Sequence, residues 1–280
     1  MNKNELSSDF LVDTTQKENV YLLGFLWADG WVINKGYTHR VSMSIVKDDF
    51  VMIEPLLQKY GVKSFNERQR IVNGKVFGRI SKSFQINSKS IVNFLLDNDY
   101  DKKSGCDPTK ILSIIPEKLQ HHFWRGYLDG DGCIFIKKRC ELAFWSVINQ
   151  DWSSAISLFS NLKIPYQIYT YSRKNGKHQS SVFRTGCVDD IVKFCEYIYK
   201  DYDNMGLRRK YEKYLLLKEK QRTMHRKTSK YVGICFCSRA KKWTARYYNK
   251  ITKNDKHLGW FPSEVLAVEA LEKYKTTLTV

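Results

Sequence analysis

The chain has 280 residues, 42% of them hydrophobic and 14% aromatic, which is enough apolar material for a packed core and argues against wholesale disorder. Its 47 basic against 29 acidic residues leave a net charge of +18, which favours an acidic polymer, nucleic acid above all, as partner. Seven scattered cysteines make no disulfide framework, Cys235 and Cys237 stand too close for the usual zinc pair, and the polar N-terminus reads as neither signal peptide nor membrane span. A reducing compartment, cytoplasmic or organellar and not secreted, is therefore expected.

After a lead-in over residues 1–18, the spacing predicts a helix from about Glu18 to Ala28. Strands follow over Trp31 to Ile33 and Arg40 to Val46, where Val41, Met43 and Ile45 alternate with polar positions. Asp48 or Asp49 is placed to cap a helix through about Tyr60, with Val51, Ile53, Leu56 and Leu57 inside. Phe65 to Val72 and Val76 to Ile86 around Asn73-Gly74 read as a hairpin, and Ser88 opens a helix. The order then repeats: a helix from Pro116 to about Gly130, strands over Cys133 to Lys138 and Glu141 to Ile148, and a helix capped by Asp151. Strands over Tyr166 to Ser172 and Ser180 to Thr185, around a Lys174 to Lys177 turn, precede helices over Val188 to Lys200 and Leu207 to Lys220.

The opening helix of each half ends in a similar text. Leu22-Leu23-Gly24-Phe25-Leu26-Trp27-Ala28-Asp29-Gly30 and Trp124-Arg125-Gly126-Tyr127-Leu128-Asp129-Gly130-Asp131-Gly132 each set a Gly and a small residue four apart, then Asp-Gly. Residues four apart share a helix face. Gly24 with Ala28, and Gly126 with Gly130, thus form two smooth stripes, and the natural partner of each helix is the other. Packed so, Asp29 and Asp131 emerge side by side, and two close carboxylates call for a proton or a cation between them. The spacing of the two aspartates gives a repeat of about one hundred residues, which suits a duplicated domain and not a solenoid. The expected fold is α+β, a pseudo-symmetric pair of αββαββα halves with two antiparallel saddle sheets.

The strands carry charges on their second face, namely Arg68, Arg70, Lys75, Arg79 and Lys82 in one half and Lys137, Arg139, Arg173, Lys177 and Arg184 in the other. Two such sheets suit a nucleic-acid groove. Residues 218–230 read as a basic linker. Beyond it, strands over Tyr231 to Cys237, Lys242 to Tyr248 and His257 to Phe261 precede a helix capped by Ser263, with Val265, Leu266, Val268, Ala270 and Leu271 on its apolar side. Trp243, Trp260 and Phe261 are the expected core of this small module. The six histidines show no ligand or triad spacing, and His121-His122 reads as a packing or surface pair.

Over residues 15–220 the paired motifs and the repeated element order resemble the single-chain LAGLIDADG homing endonucleases. The resemblance implies halves at 1–115 and 116–217 and site-specific hydrolysis of double-stranded DNA by a monomer. It further implies Mg²⁺ (or Mn²⁺) held by Asp29 and Asp131, with the Ala28 and Gly130 carbonyls close by. It implies a basic residue near the scissile phosphate in each half, which falls on Lys103 and Lys210, or one position earlier on Lys102 and Arg209. Trp27 departs from the family's usual Asp, which Asp129 keeps. Residues 231–280 resemble an AP2-type DNA-binding domain through Tyr231-Val232-Gly233-Ile234, Lys242 to Arg246 and Leu258 to Phe261. Cys235 and Cys237 stand where that family often has arginines, leaving Arg239, Arg246 and Tyr248 as DNA-contact candidates. A non-cleaving DNA-binding regulator and an RNA maturase on the same fold stay open, as does the host element, an intron or a phage.

Overall fold

The computed structural model describes residues 9–62, 65–72, 75–137, 139–172, 179–225, 229, 231–237, 240–249 and 253–278. The chain divides into two compact units, Met1–Leu217 and Lys218–Val280. No helix among the described residues is long and apolar enough to cross a membrane.

In the larger unit, α1 (Lys17–Asp29) is followed by β1 (Gly30–Lys35), β2 (Thr38–Val46), α2 (Lys47–Lys59), β3 (Phe65–Val72), β4 (Lys75–Asn87), α3 (Lys89–Asp97) and α4 (Thr109–Ile114). The second half repeats the series with α5 (Gln120–Asp131), β5 (Gly132–Ile136), β6 (Cys140–Val147), α6 (Ser153–Asn161), β7 (Gln167–Ser172), β8 (Gln179–Thr185) and α7 (Val188–Ile198). The helix α8 (Arg208–His225) runs through the start of the stretch read as a linker, so that residues 218–225 are helical. Two antiparallel four-stranded sheets have the same order, β1-β2-β4-β3 and β5-β6-β8-β7. Their registers also correspond, Gly30 lying opposite Met43 and Met43 opposite Phe84, as Gly132 lies opposite Phe144 and Phe144 opposite Phe183.

The two motif helices are buried on all sides, over Asn19 to Trp27 in α1 and His121 to Asp129 in α5. That is the signature of helices in the middle of a core. One face of each sheet closes over them with Val41, Met43, Phe84 and Ile86 in the first half and Leu142, Phe144 and Phe183 in the second. Ser88 caps α3 by accepting from the Ile91 amide. The acids expected to cap α2 lie inside its first turn, where they face the helix dipole instead. Val51, expected inside, is exposed, because only Phe50, Ile53 and Leu57 share the α2 stripe that meets the sheet.

In the smaller unit β9 (Ile234–Cys237), β10 (Lys242–Asn249) and β11 (Asn254–Phe261) form a sheet of order β11-β10-β9, covered by α9 (Glu264–Thr276). Ile234, Ala245, Ala267 and Leu271 are its buried centre, with Trp243, Val268 and Phe261 packed around them. Trp260 was expected in this core but is 49% exposed. It lies opposite Thr244 on the outer sheet face, while Phe261 and Trp243 take the inner one, as strand alternation requires. Val265 and Leu266 likewise point outward.

Candidate active site at the paired helix ends

The seam between α1 and α5 dictates the site. A β-carbon on Gly24 would lie 1.9 Å from the Phe123 carbonyl oxygen, and one on Gly126 would lie 2.1 Å from that of Tyr21. Real side chains never approach backbone so closely, so both positions need glycine. At Gly130 the space is filled by Ala28, whose Cβ would be 2.3 Å away, and by the Asp29 carboxylate at 3.2 Å. The small residues thus bring the two helix ends, and their aspartates, together.

Burial pushes the Asp131 carboxyl up to about 6, and the neighbouring Asp29 charge pushes the same way against Lys103 and Lys210. Asp29 keeps an exposed edge, yet partial burial raises it too, opposed by the same two lysines. A pair of carboxylates that ionise reluctantly beside each other is a hard-oxygen donor set suited to a divalent cation such as Mg²⁺ or Mn²⁺. The residues present fit the expected metal.

Each lysine caps the motif helix of its own half. Lys103 Nζ donates to the carbonyls of Leu26 (3.2 Å), Trp27 (2.9 Å) and Ala28 (2.9 Å). Lys210 Nζ donates to those of Leu128, Asp129 (2.6 Å) and Gly132 (2.8 Å). A cation at a helix C-terminus is favoured by the dipole. Burial lowers both ammonium groups to about 8; Asp131 and Asp29 oppose this at Lys103, and Asp129 leads the opposition at Lys210. The adjacent candidates point elsewhere: Lys102 pairs with Asp99 at 3.0 Å, and Arg209 holds Asp49 through two 2.7 Å bonds. Arg209 also lines a cavity of about 310 Å³ together with Asp29, Asp49 and Gly130.

Sequence reasoning missed the supports of this site. Asp129 is buried and accepts from the Tyr21 hydroxyl (2.9 Å) and the Leu207 amide (2.8 Å). Buried Arg125 donates to the Ile198 and Met205 carbonyls and to Asp201. His121 and His122 close on the same Asp201 carboxylate at 2.9 and 3.1 Å. Despite the burial that opposes it, Asp201 is held down to about 2 by the hydrogen bond from His121 and the charges around it. The guanidinium already supplies that carboxylate's counter-charge, so these groups read as a brace for the α7–α8 connection and not as a metal centre. Asp107 accepts from the Thr109 and Ser154 amides, tying the segment after Lys103 to the start of α6. Of these groups the sequence marked only Asp129, as the acid kept from the motif, and His121-His122, as a packing or surface pair; both histidines are buried.

The predicted DNA-contact residues scatter. Arg68 and Arg79 are exposed on β3 and β4. Lys82 faces inward to Glu54 (2.8 Å). Lys137 and Arg139 are exposed in the turn after β5. Arg184 is on β8, paired with Glu141 at 2.8 Å and laid over the Tyr169 ring at 4.3 Å. Arg246 pairs with Asp255 at 2.9 Å, and Tyr248 is exposed beside it on β10. The side chain of Arg70, and Arg173 and Arg239 altogether, lie outside the described residues.

No protein-family model matches this chain, and no curated protein matches it. Solved structures do. The homing endonuclease I-WcaI bound to its DNA recognition sequence superposes with a TM-score of 0.50 at 13% identity, over 76% of this chain and 94% of its own. The I-LtrWI LAGLIDADG homing endonuclease bound to target DNA gives 0.48 at 12% identity, over 75% and 92%. I-SmaMI bound to uncleaved DNA target in the presence of calcium ions gives 0.45 at 15% identity, over 74% and 92%. The fold is shared with the homing endonuclease I-WcaI.

Proposed function

We propose that the chain is a site-specific double-strand DNA endonuclease, a monomer whose halves, 1–115 and 116–217, each serve one strand. The observation that carries this reading is the pair Asp29 and Asp131, brought together by two glycine helices and flanked by two capping lysines. A divalent metal held by those carboxylates would polarise phosphate oxygens and lower the pKa of bound water. The chain's own residues do the rest. Asp29 and Asp131 orient what binds between the helix ends. Lys103 and Lys210, protonated near neutral pH, place positive charge where charge accumulates on the phosphorane-like transition state. Arg68, Arg70 and Arg79 of the first half, and Lys137, Arg139, Arg173 and Arg184 of the second, would supply contacts to the duplex backbone.

We infer that residues 231–280, behind the basic segment 218–230, form an AP2-like module that adds DNA contacts through Arg239, Arg246 and Tyr248. Support comes from its three-stranded sheet, whose outer face carries Arg246, Tyr248 and Trp260.

The test is cleavage of a plasmid carrying the locus without this gene's insertion, with Mg²⁺ or with EDTA. Wild type is expected to cut both strands only with Mg²⁺, and Asp29→Asn with Asp131→Asn to bind the duplex without cutting. Cleavage by that double variant at the wild-type rate overturns the site. Binding without any cleavage by wild type points to a regulator.

A further inference from the structure

The two sheets occupy equivalent places, and the first strand of each carries exposed apolar side chains outward, Trp31 and Ile33 in the first and Phe135 in the second; their other strands differ on that face. Because the registers correspond, residues can be matched by partner. Ser44 pairs with Ser83, which pairs with Asn66, in a row across the first sheet. The matching row of the second sheet is Trp145, Val182 and Tyr169. One row on, Val46, Ser81 and Arg68 are matched by Val147, Ser180 and Tyr171. In the other direction Ser42 and Gln85 are matched by Ala143 and Arg184.

The centre of each inner face is apolar, Met43 with Phe84 in the first sheet and Phe144 with Phe183 in the second, so the contrast in these rows lies on the outside. It is also exposed. Trp145 is 41% and Tyr171 is 53% accessible, and Phe135, Val147 and Tyr169 are similarly open. Trp145 and Tyr171 meet edge to face at 6.2 Å. The charges on this face neutralise each other as the Arg184–Glu141 pair.

A contiguous exposed apolar patch marks a binding surface. A second copy of this chain is a poor occupant, because each copy carries +18 and the exposed Lys137 and Arg139 border the patch. Those same charges attract a phosphate backbone along its edge. In the major groove of a duplex the one apolar group that base pairs present is the thymine C5 methyl.

We propose that the second sheet recognises a thymine-rich half-site through apolar contact with thymine methyls, whereas the first sheet recognises its half-site by hydrogen bonds. This rests on the DNA-binding reading above and gives it a substrate class. Trp145, Tyr169, Tyr171 and Val147 are the specificity residues. Ser44, Ser83, Gln85 and Asn66 are their hydrogen-bonding counterparts.

The test selects duplexes retained by the full-length protein from a randomised library, then replaces thymine by deoxyuridine in one half-site at a time. Deoxyuridine keeps every hydrogen-bonding edge and removes only the methyl. Each contacted methyl is expected to change Kd about fourfold, all within one half-site, with less than about a twofold change in the other. A double variant, Trp145→Ser and Tyr169→Asn, imports the exposed residues of the first sheet's row and should cut the uracil effect to what Tyr171 and Val147 retain; a cooperative thermal unfolding transition shows that it is folded. Binding that is indifferent to deoxyuridine in both halves overturns the proposal and leaves the DNA reading standing. Failure to retain any duplex overturns both. Dimerisation in sedimentation that Trp145→Ser removes would assign the patch to a second copy and also overturn the proposal.

Discussion

The ends of the two motif helices solve one packing problem with opposite chemistry. At the first, position 27 is tryptophan, buried edge-on against Tyr100 at 5.6 Å between ring centroids. At the second, the matching position is Asp129, a buried carboxylate serving Tyr21, Leu207 and, electrostatically, Lys210. The consequence lies in the lysines. Lys103 keeps some solvent contact and takes Asp131 and Asp29 as its main countercharges. Lys210 is 2% exposed and takes Asp129. The first half spends its cation on the shared carboxylates, and the second needs a private anion to bury its own. A duplicated site can thus keep its geometry while its two copies diverge in how they hold charge.

The largest expected effect erases the comparison by separating the helices. Gly126→Ala forces a methyl into the Tyr21 carbonyl, a clash with backbone that no rotamer relieves. A loss above about 4 kcal/mol is expected, visible as failure to recover folded protein by circular dichroism. Next, Lys210→Met should cost about 3–5 kcal/mol, because it strands the buried Asp129 charge together with three carbonyls. Lys103→Met, whose site water can reach, should cost about 1–2 kcal/mol. Urea unfolding of the two variants side by side decides this, and equal losses would show that the lysines are equivalent. Smaller than the Lys210 effect, Asp129→Asn keeps the Leu207 bond but removes the charge, and should cost about 1–3 kcal/mol while lowering the Lys210 ammonium further. Strand-specific nicking should then slow on one strand only.

What the sequence made legible follows from the range of each interaction. The paired glycine stripes, the Asp-Gly ends and the element order are local patterns, and the fold could be read from them. The brace of the site could not: Arg125 finds Asp201, and Arg209 finds Asp49, only through the tertiary fold. Near helix ends several lysines and arginines stand in a row, and only their direction tells Lys103 from Lys102. The apolar outward face of the second sheet was not legible for another reason. Leu142, Ala143, Phe144 and Trp145 form an unbroken apolar run, and such a run does not say which side faces the core. Adjacent Trp260 and Phe261 posed the same problem in the small unit.

The last effect is graded with pH and sharpens the role of the shared pair. Asp131 has its folded pKa raised from 3.8 to about 6, first by burial and then by Asp29. Between those values the folded protein binds more protons than the unfolded chain, so this group's contribution to stability falls as pH rises. It is largest below about pH 4 and lost above about pH 6, amounting to up to about 3 kcal/mol. Other carboxylates titrate in the same range, so the comparison must be with Asp131→Asn. The wild type minus variant difference in Tm of the metal-free protein should become less favourable from pH 4 to pH 7. Added Mn²⁺ should reverse the trend, because a cation between the carboxylates offsets the repulsion only once both are ionised. Its stabilisation should therefore grow between pH 5 and 7 and vanish in the variant. Equal Mn²⁺ stabilisation of wild type and Asp131→Asn would place the metal elsewhere.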